Sequence, residues 1–139
     1  MTTLRRVADQ PTWLLSRANA RAQALLHGAF ADHGVRGYHF RVLAALDEHG
    51  PASQADVGRR AGIDRSDVVA TLNELVGDGL AARQPDPSDR RRNVVSITRT
   101  GTATLERLQA VLDDVQDAVV APLTGTERAQ LVRLLRKLS

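Results

Sequence analysis

DPSDRRRNVVSITRTG, residues Asp86 to Gly101, sets three consecutive arginines (Arg90, Arg91, Arg92) just ahead of a short β-branched run. Pro85, Pro87, Ser88 and Asn93 supply turn chemistry between Leu80–Gln84 and Val94–Thr98, both of strand character. The segment therefore reads as a β-ribbon with a cationic, solvent-facing tip. Like charges at the tip of an ordinary hairpin only repel one another. A ribbon that enters a groove of DNA gains from each of them, because each meets phosphate or the negative potential of a narrow minor groove.

Working upstream, Ser53 with Asp56 three residues on is an acidic variant of the capping box. It predicts a short helix whose inward positions are Ala55, Val57 and Ala61, ended by Gly62 with Ile63 plugging the turn. Asp64 and Asp67 repeat the arrangement and open a helix to about Val76, with Val68, Leu72, Leu75 and Val76 inward. Ser53–Gly79 thus has the length and punctuation of a helix-turn-helix. Followed at once by a basic hairpin, it is a winged helix.

Outside this lobe the apolar spacing is helical. Leu14, Leu15, Ala18, Ala22, Leu25, Leu26 and Ala29 define an amphipathic helix over Thr12–Phe30, with Pro11 near its first turn. Gly34 and Gly37 break it, and Tyr38–Glu48 forms a second helix closed by Gly50 and Pro51. Thr98 is placed to cap a long helix over Arg99–Val120, in which Leu105, Leu108, Leu112, Val115 and Val119 are spaced three, four, three, four. That a/d seam suits lengthwise packing on another helix. Thr124 and Glu127 form a capping box for a last helix with Leu131, Leu134, Leu135 and Leu138 on one face. The predicted fold is mainly α with a small two- to three-stranded β-wing. One domain is expected over residues 1–139, with a winged helix-turn-helix lobe at 35–98 and long helices outside it at 11–31 and 99–138.

Bulk composition narrows the classes. With 139 residues and 42% hydrophobic content the chain can bury a core, roughly 68–70% of its unfolded surface. No apolar run approaches the ~20 residues of a membrane helix, and MTTLRRVADQP lacks the apolar core of a secretory leader, so a cytoplasmic protein is expected. Cysteine is absent, which excludes disulfides and thiolate metal sites. The net charge is +3, and all but one of the 19 basic residues are arginine. Arginine bias also fits a GC-rich genome, so the local density at the ribbon tip carries more information than the total. His27, His33, His39 and His49 match no metal-ligand spacing, and no convergent set of reactive groups is visible. Neither an enzyme, a metal site nor a cofactor is expected.

A major groove accepts one α-helix, whose N-terminal residues meet base edges. On the second helix of the motif the outward positions are Arg65, Ser66, Asp67, Ala70, Thr71 and Asn73. Arg65 suits a bidentate contact to guanine, and Ser66 and Thr71 suit phosphate or base contacts. Asp67 is either a helix cap or an acceptor for a cytosine amine. Arg59 and Arg60 end the preceding helix, where they either clamp phosphate or stabilise its macrodipole. At the wing, Asp89 stands two residues before Arg91 and can hold its guanidinium extended. A second cluster, Trp13, Arg17 and Arg21 with Tyr38, His39 and Phe40, can line a cleft, although Trp13 suits helix packing better.

The pattern Asp89-Arg90-Arg91, a strand, then Ser96-Ile97-Thr98-Arg99-Thr100-Gly101 resembles the MarR/SlyA family of bacterial winged-helix regulators, with isoleucine in place of the usual leucine. Leu75, Gly79, Leu80 and Arg83 also resemble the end of that family's recognition helix and its first wing strand. The resemblance spans nearly the whole chain. It implies that Arg91 is the minor-groove arginine, that Asp89 orients it, and that Asp64–Asn73 is the groove-reading surface. Arg90 and Arg92 are left as phosphate contacts. It further implies a homodimer built from the first helix and the last two, bound to a palindromic double-stranded operator as a ligand-relieved repressor. In the family the cleft holds small, often aromatic anions, which the resemblance implies for the Trp13–Phe40 cluster. Tyr38-His39-Phe40 departs from the usual Thr-x-x-Gln-Phe, so the ligand's identity is not carried over, and the lack of cysteine removes peroxide sensing. The competing expectation is a winged helix that docks proteins without specific DNA binding.

Overall fold

The computed structural model describes residues 4–139; Met1, Thr2 and Thr3, the start of the stretch read for a leader, lie outside the described residues. The elements run α1 (Pro11–Asp32), α2 (His39–His49), β1 (Ala52–Ser53), α3 (Gln54–Ala61), α4 (Arg65–Gly77), β2 (Ala81–Pro85), β3 (Asn93–Ile97), α5 (Arg99–Val119) and α6 (Gly125–Leu138). They group into two compact units: Phe30–Ala110, and the described residues up to Ala29 together with Val111–Ser139.

In the Phe30–Ala110 unit the core is aliphatic. Val42, Leu43 and Leu46 of α2, Val57 of α3, Val68, Leu72 and Leu75 of α4, and Val95 of β3 are almost entirely removed from water. Each such side chain contributes roughly 1.5–3 kcal/mol of burial. The Ser53 hydroxyl caps α3 by accepting the Asp56 N–H at 3.2 Å. Gly62 ends the helix in the left-handed region (φ 67°), and Ile63 N–H returns to Gly58 O at 2.9 Å. A β-carbon on Gly58 would stand 2.7 Å from Val68 Cγ2, so the missing side chain is what lets α3 and α4 approach.

Two expectations for this motif are corrected. Ala55 is exposed, and Gly58 takes the inward place beside Val57 and Ala61. Two residues before Val57 is about 200° around a helix, hence the opposite side. Asp64 has the extended backbone of an N-cap, and its carbonyl accepts the Val68 N–H at 2.9 Å, but its side chain makes no capping hydrogen bond. The capping of α3 is therefore not repeated at α4.

The sheet is antiparallel in the order β1-β3-β2. Ala81 pairs with Ile97 and Pro85 with Asn93, while the short β1 adds Ala52 opposite Val95. Both ribbon strands sit one residue nearer the tip than expected, because Leu80 and Thr98 are otherwise engaged. Thr98 Oγ1 donates to Gly79 O at 2.7 Å and accepts the Gly101 N–H at 3.0 Å, so it caps α5 as expected. A β-carbon on Gly101 would collide with the Leu80 carbonyl, which explains a glycine three residues after the cap.

In the other unit Arg21 of α1 donates to Val119 O at 2.8 Å and Ala118 O at 3.0 Å, the last carbonyls of α5, of which Ala118 O also accepts the Ala121 N–H at 3.4 Å. The Thr124–Glu127 capping box is complete in both directions. Leu134, Leu135 and Leu138 of α6 remain 47%, 41% and 71% exposed within a single chain, and α1 leaves Leu14 and Leu15 uncovered. No helix among the described residues is long and apolar enough to cross a membrane.

Candidate nucleic-acid interface

Asp86–Arg92 closes the wing as a tight, internally bonded turn. The Asp86 N–H donates to Arg92 O at 2.9 Å, and the Arg92 N–H donates to Asp89 O at 2.9 Å. The Asp86 carboxylate accepts the Ser88 N–H at 2.9 Å and the Ser88 hydroxyl at 2.8 Å. The Ser88 N–H above all, then its hydroxyl, holds the Asp86 carboxyl below the usual aspartate value. The tip thus stays ordered while its arginines project into solvent.

Asp89 grips Arg91 at two points. Its Oδ1 accepts both the backbone N–H at 3.1 Å and Nε–H at 3.2 Å, and its Oδ2 lies 3.9 Å from Arg92 Nε. The Arg91 side chain is nevertheless 91% exposed. Holding the guanidinium through Nε leaves both terminal nitrogens free for a ligand. Fixing the rotamer in advance removes part of the ordering entropy that binding would otherwise cost. Arg90 and Arg92 are exposed at the same tip.

On α4, Arg65, Ser66, Ala70 and Asn73 are exposed along one side. Asp67 is half-buried in the first turn, where a negative charge complements the helix N-terminus. Thr71 corrects the expectation. It is buried, because three residues after Val68 and four before Leu75 it shares their inward face. Arg59 pairs with Asp56 one turn earlier on α3, and Arg60 is exposed. Arg59 chiefly holds the Asp56 carboxyl below the ordinary value, through its hydrogen bond.

Side chains of the helix-turn-helix and of the wing meet around one concavity of about 490 Å³. Gln54, Arg65, Arg91, Arg92 and Asn93 line it. Arg83 Nε donates to Gln54 Oε1 at 3.0 Å, linking β2 to the first residue of α3. Neither partner of that bond was legible as a pair, since 29 residues separate them and no spacing rule connects them. The bond between His39 Nε2 and Glu74 Oε2, 2.6 Å long, was hidden for the same reason. Val69 was also missed; it stands 37% exposed on α4, four residues after Arg65.

The six residues expected for an effector cleft fall in both units. In the unit holding α1, the Arg17 guanidinium lies 5.8 Å over the Trp13 ring, and Arg21 is committed to the α5 carbonyls. In the Phe30–Ala110 unit, Tyr38 is exposed beneath Arg41, Phe40 stacks on Phe30 at 5.9 Å, and His39 is buried against Glu74.

Comparisons with known proteins agree with this architecture. A sequence model of the MarR family matches residues 33–92. The HTH-type transcriptional repressor NicR of Pseudomonas putida is 30% identical over 132 residues, spanning 95% of this chain and 84% of that protein. A probable transcriptional regulator from Pseudomonas aeruginosa superposes with a TM-score of 0.84 at 32% identity, covering 96% of this chain and 99% of that one. Bordetella bronchiseptica BpsR, whose DNA binding is regulated by 6-hydroxynicotinic acid, gives 0.83 at 30% identity over 99% and 97% of the two chains. The chain belongs to the MarR family of transcriptional regulators.

Proposed function

We propose that this protein is a homodimeric repressor that binds a palindromic double-stranded DNA operator and is released by a small aromatic anion. It is a DNA-binding regulator and not an enzyme. The Asp89–Arg91 pair carries the reading: an arginine braced by its own carboxylate and left 91% exposed is prepared for a narrow, negative groove. A winged helix that only docked proteins would have no use for that brace. Arg90 and Arg92 are assigned to phosphate, and Arg65, Ser66, Ala70 and Asn73 to the major groove, with Asp67 kept as a structural acid. Arg59 and Arg60 flank as phosphate contacts. The uncovered leucines of α1 and α6 suit burial against a second copy of the chain, which would place two reading helices on one duplex.

For the effector, the kind of ligand that regulates BpsR suits the chemistry of Trp13 with Arg17, an aromatic ring with a guanidinium 5.8 Å over it. Tyr38 and Phe40 are secondary candidates, whereas Arg21 and His39 already have partners within the chain. The working compartment is the cytoplasm, where operator DNA is available. Selection of bound sequences from a random duplex pool, followed by footprinting, tests the core of the proposal. An inverted repeat with both half-sites protected per dimer is expected, and a single protected half-site would sink the symmetric arrangement. Titration with 6-hydroxynicotinate and phenolic acids, followed by Trp13 fluorescence and operator release, tests the effector. A flat response to all of them would leave Trp13 with packing alone.

A further inference from the structure

Between α3 and α4 the surface carries a concavity of about 470 Å³. Ala55, Gly58, Ile63, Val68 and Val69 line it together with Gln54, Arg59 and Arg65. Ala55 is exposed, Ile63 is half-buried and Val69 is 37% exposed. Val69 also borders the neighbouring depression lined by Asp64, Arg65 and Ser66. A branched aliphatic side chain is therefore exposed amid the polar residues assigned to base reading.

Core packing does not account for Val69, since Val68, Thr71, Leu72 and Leu75 already form the inward face of α4. Four residues after Arg65, Val69 stands one turn along on the same side, with β-carbons about 5–6 Å apart. A groove that admits Arg65 to a base edge brings Val69 to an adjacent base pair. In the major groove the one apolar feature of an unmodified base pair is the thymine 5-methyl group, and apolar side chains read it by contact. Arg65 beside it supplies the positive charge that such a neighbour of phosphates needs, the charge of Arg59 being matched by Asp56. The stiff χ1 of valine holds its two methyls in place before DNA arrives.

We infer that Val69 reads the 5-methyl group of one thymine in each operator half-site, next to the base pair met by Arg65. This specificity contact rests on the DNA-binding reading above. The same methyl chemistry is offered by 5-methylcytosine, and the test separates the two. Using the operator selected from a random pool, each thymine is replaced singly by deoxyuridine, and each cytosine by 5-methylcytosine. Wild-type protein should lose affinity about fourfold per half-site at one thymine, the equivalent of one buried methyl-sized group. Val69→Ala, which keeps a single methyl and withdraws it from the base, should show a clearly smaller uracil penalty there while keeping wild-type thermal stability. Uracil tolerated at every position by the wild type, or an undiminished penalty in Val69→Ala, would overturn the inference. So would a gain on cytosine methylation without any thymine penalty. A chain that bound no duplex at all would overturn the DNA-binding reading as well, whereas failure in the uracil arm alone leaves that reading standing.

Discussion

Glu74, near the rear of α4, accepts a 2.6 Å hydrogen bond from His39 of α2, whose side chain is only 8% exposed. The Arg36 N–H points at His39 Nδ1 from 3.4 Å, so the network assigns the ring proton to Nε2, the atom that donates to Glu74. Arg36 Nη1 lies 4.0 Å from the other carboxylate oxygen. The helix proposed to face DNA is thus tied to the buried side of α2. Glu74→Ala would leave a buried N–H without its partner, at a cost of about 1–3 kcal/mol. Urea unfolding should show a lower midpoint with an unchanged slope. An unshifted midpoint would mean that the bond contributes nothing net.

Arg91→Ala should weaken binding to operator and random duplex alike and lower the salt slope by about one per subunit. Asp89→Ala leaves the charge of Arg91 but frees its rotamer, so a smaller loss with an unchanged salt slope is expected. Filter binding across a salt series distinguishes these outcomes. For the wild-type dimer, contact with on the order of 6–10 phosphates predicts a fall of about 10³–10⁵ in affinity between 50 and 200 mM salt.

Arg65→Ala should cost roughly 1–3 kcal/mol on the selected operator and relax base preference at one position. Affinity for random duplex should change far less. Equal losses on both DNAs would reassign Arg65 to phosphate.

Gly101→Ala forces a β-carbon into the Leu80 carbonyl at the joint between wing and α5. Overpacking of this kind costs about 1–3 kcal/mol, and here the obstructing atom is backbone. Gly77→Ala, at the end of α4 with open space around it, should be neutral or stabilise by up to about 1 kcal/mol. Thermal unfolding of the two variants should therefore move in opposite directions.

The Thr124 N–H, then its hydroxyl, holds the Glu127 carboxyl below the ordinary glutamate value. A carboxyl depressed in the folded state stabilises it above the unfolded-state pKa, and that stabilisation disappears as pH falls through the folded value. The start of α6 should accordingly lose this stabilisation as pH falls through the folded-state value of Glu127, and be unaffected near neutrality. Thr124→Val removes the hydroxyl and keeps the N–H, so the Glu127 titration, followed by NMR, should move part of the way toward that of a free glutamate. An unchanged midpoint would show that the hydroxyl does not act on this group.

Local chemistry made most of the architecture legible in advance. Helical spacing, the caps at Ser53, Thr98 and Thr124, and the turn at Gly62 involve residues within a few positions of one another, so a linear reading captures them. The same holds for Asp89 and Arg91, two residues apart. Errors arose where a face had to be chosen. Thr71 looked outward by its polarity yet shares the angle of Val68 and Leu75, and Ala55 looked inward by its size yet points away from Val57.

A winged helix-turn-helix with a braced arginine at its tip is legible in the chain, because short-range periodicity and capping are written along it. Folding in three dimensions settles which polar residues are buried, that His39 grips Glu74 across 35 positions, and that Val69 remains exposed on α4. Such contacts depend on where distant elements meet in space, and no spacing along the chain encodes that meeting.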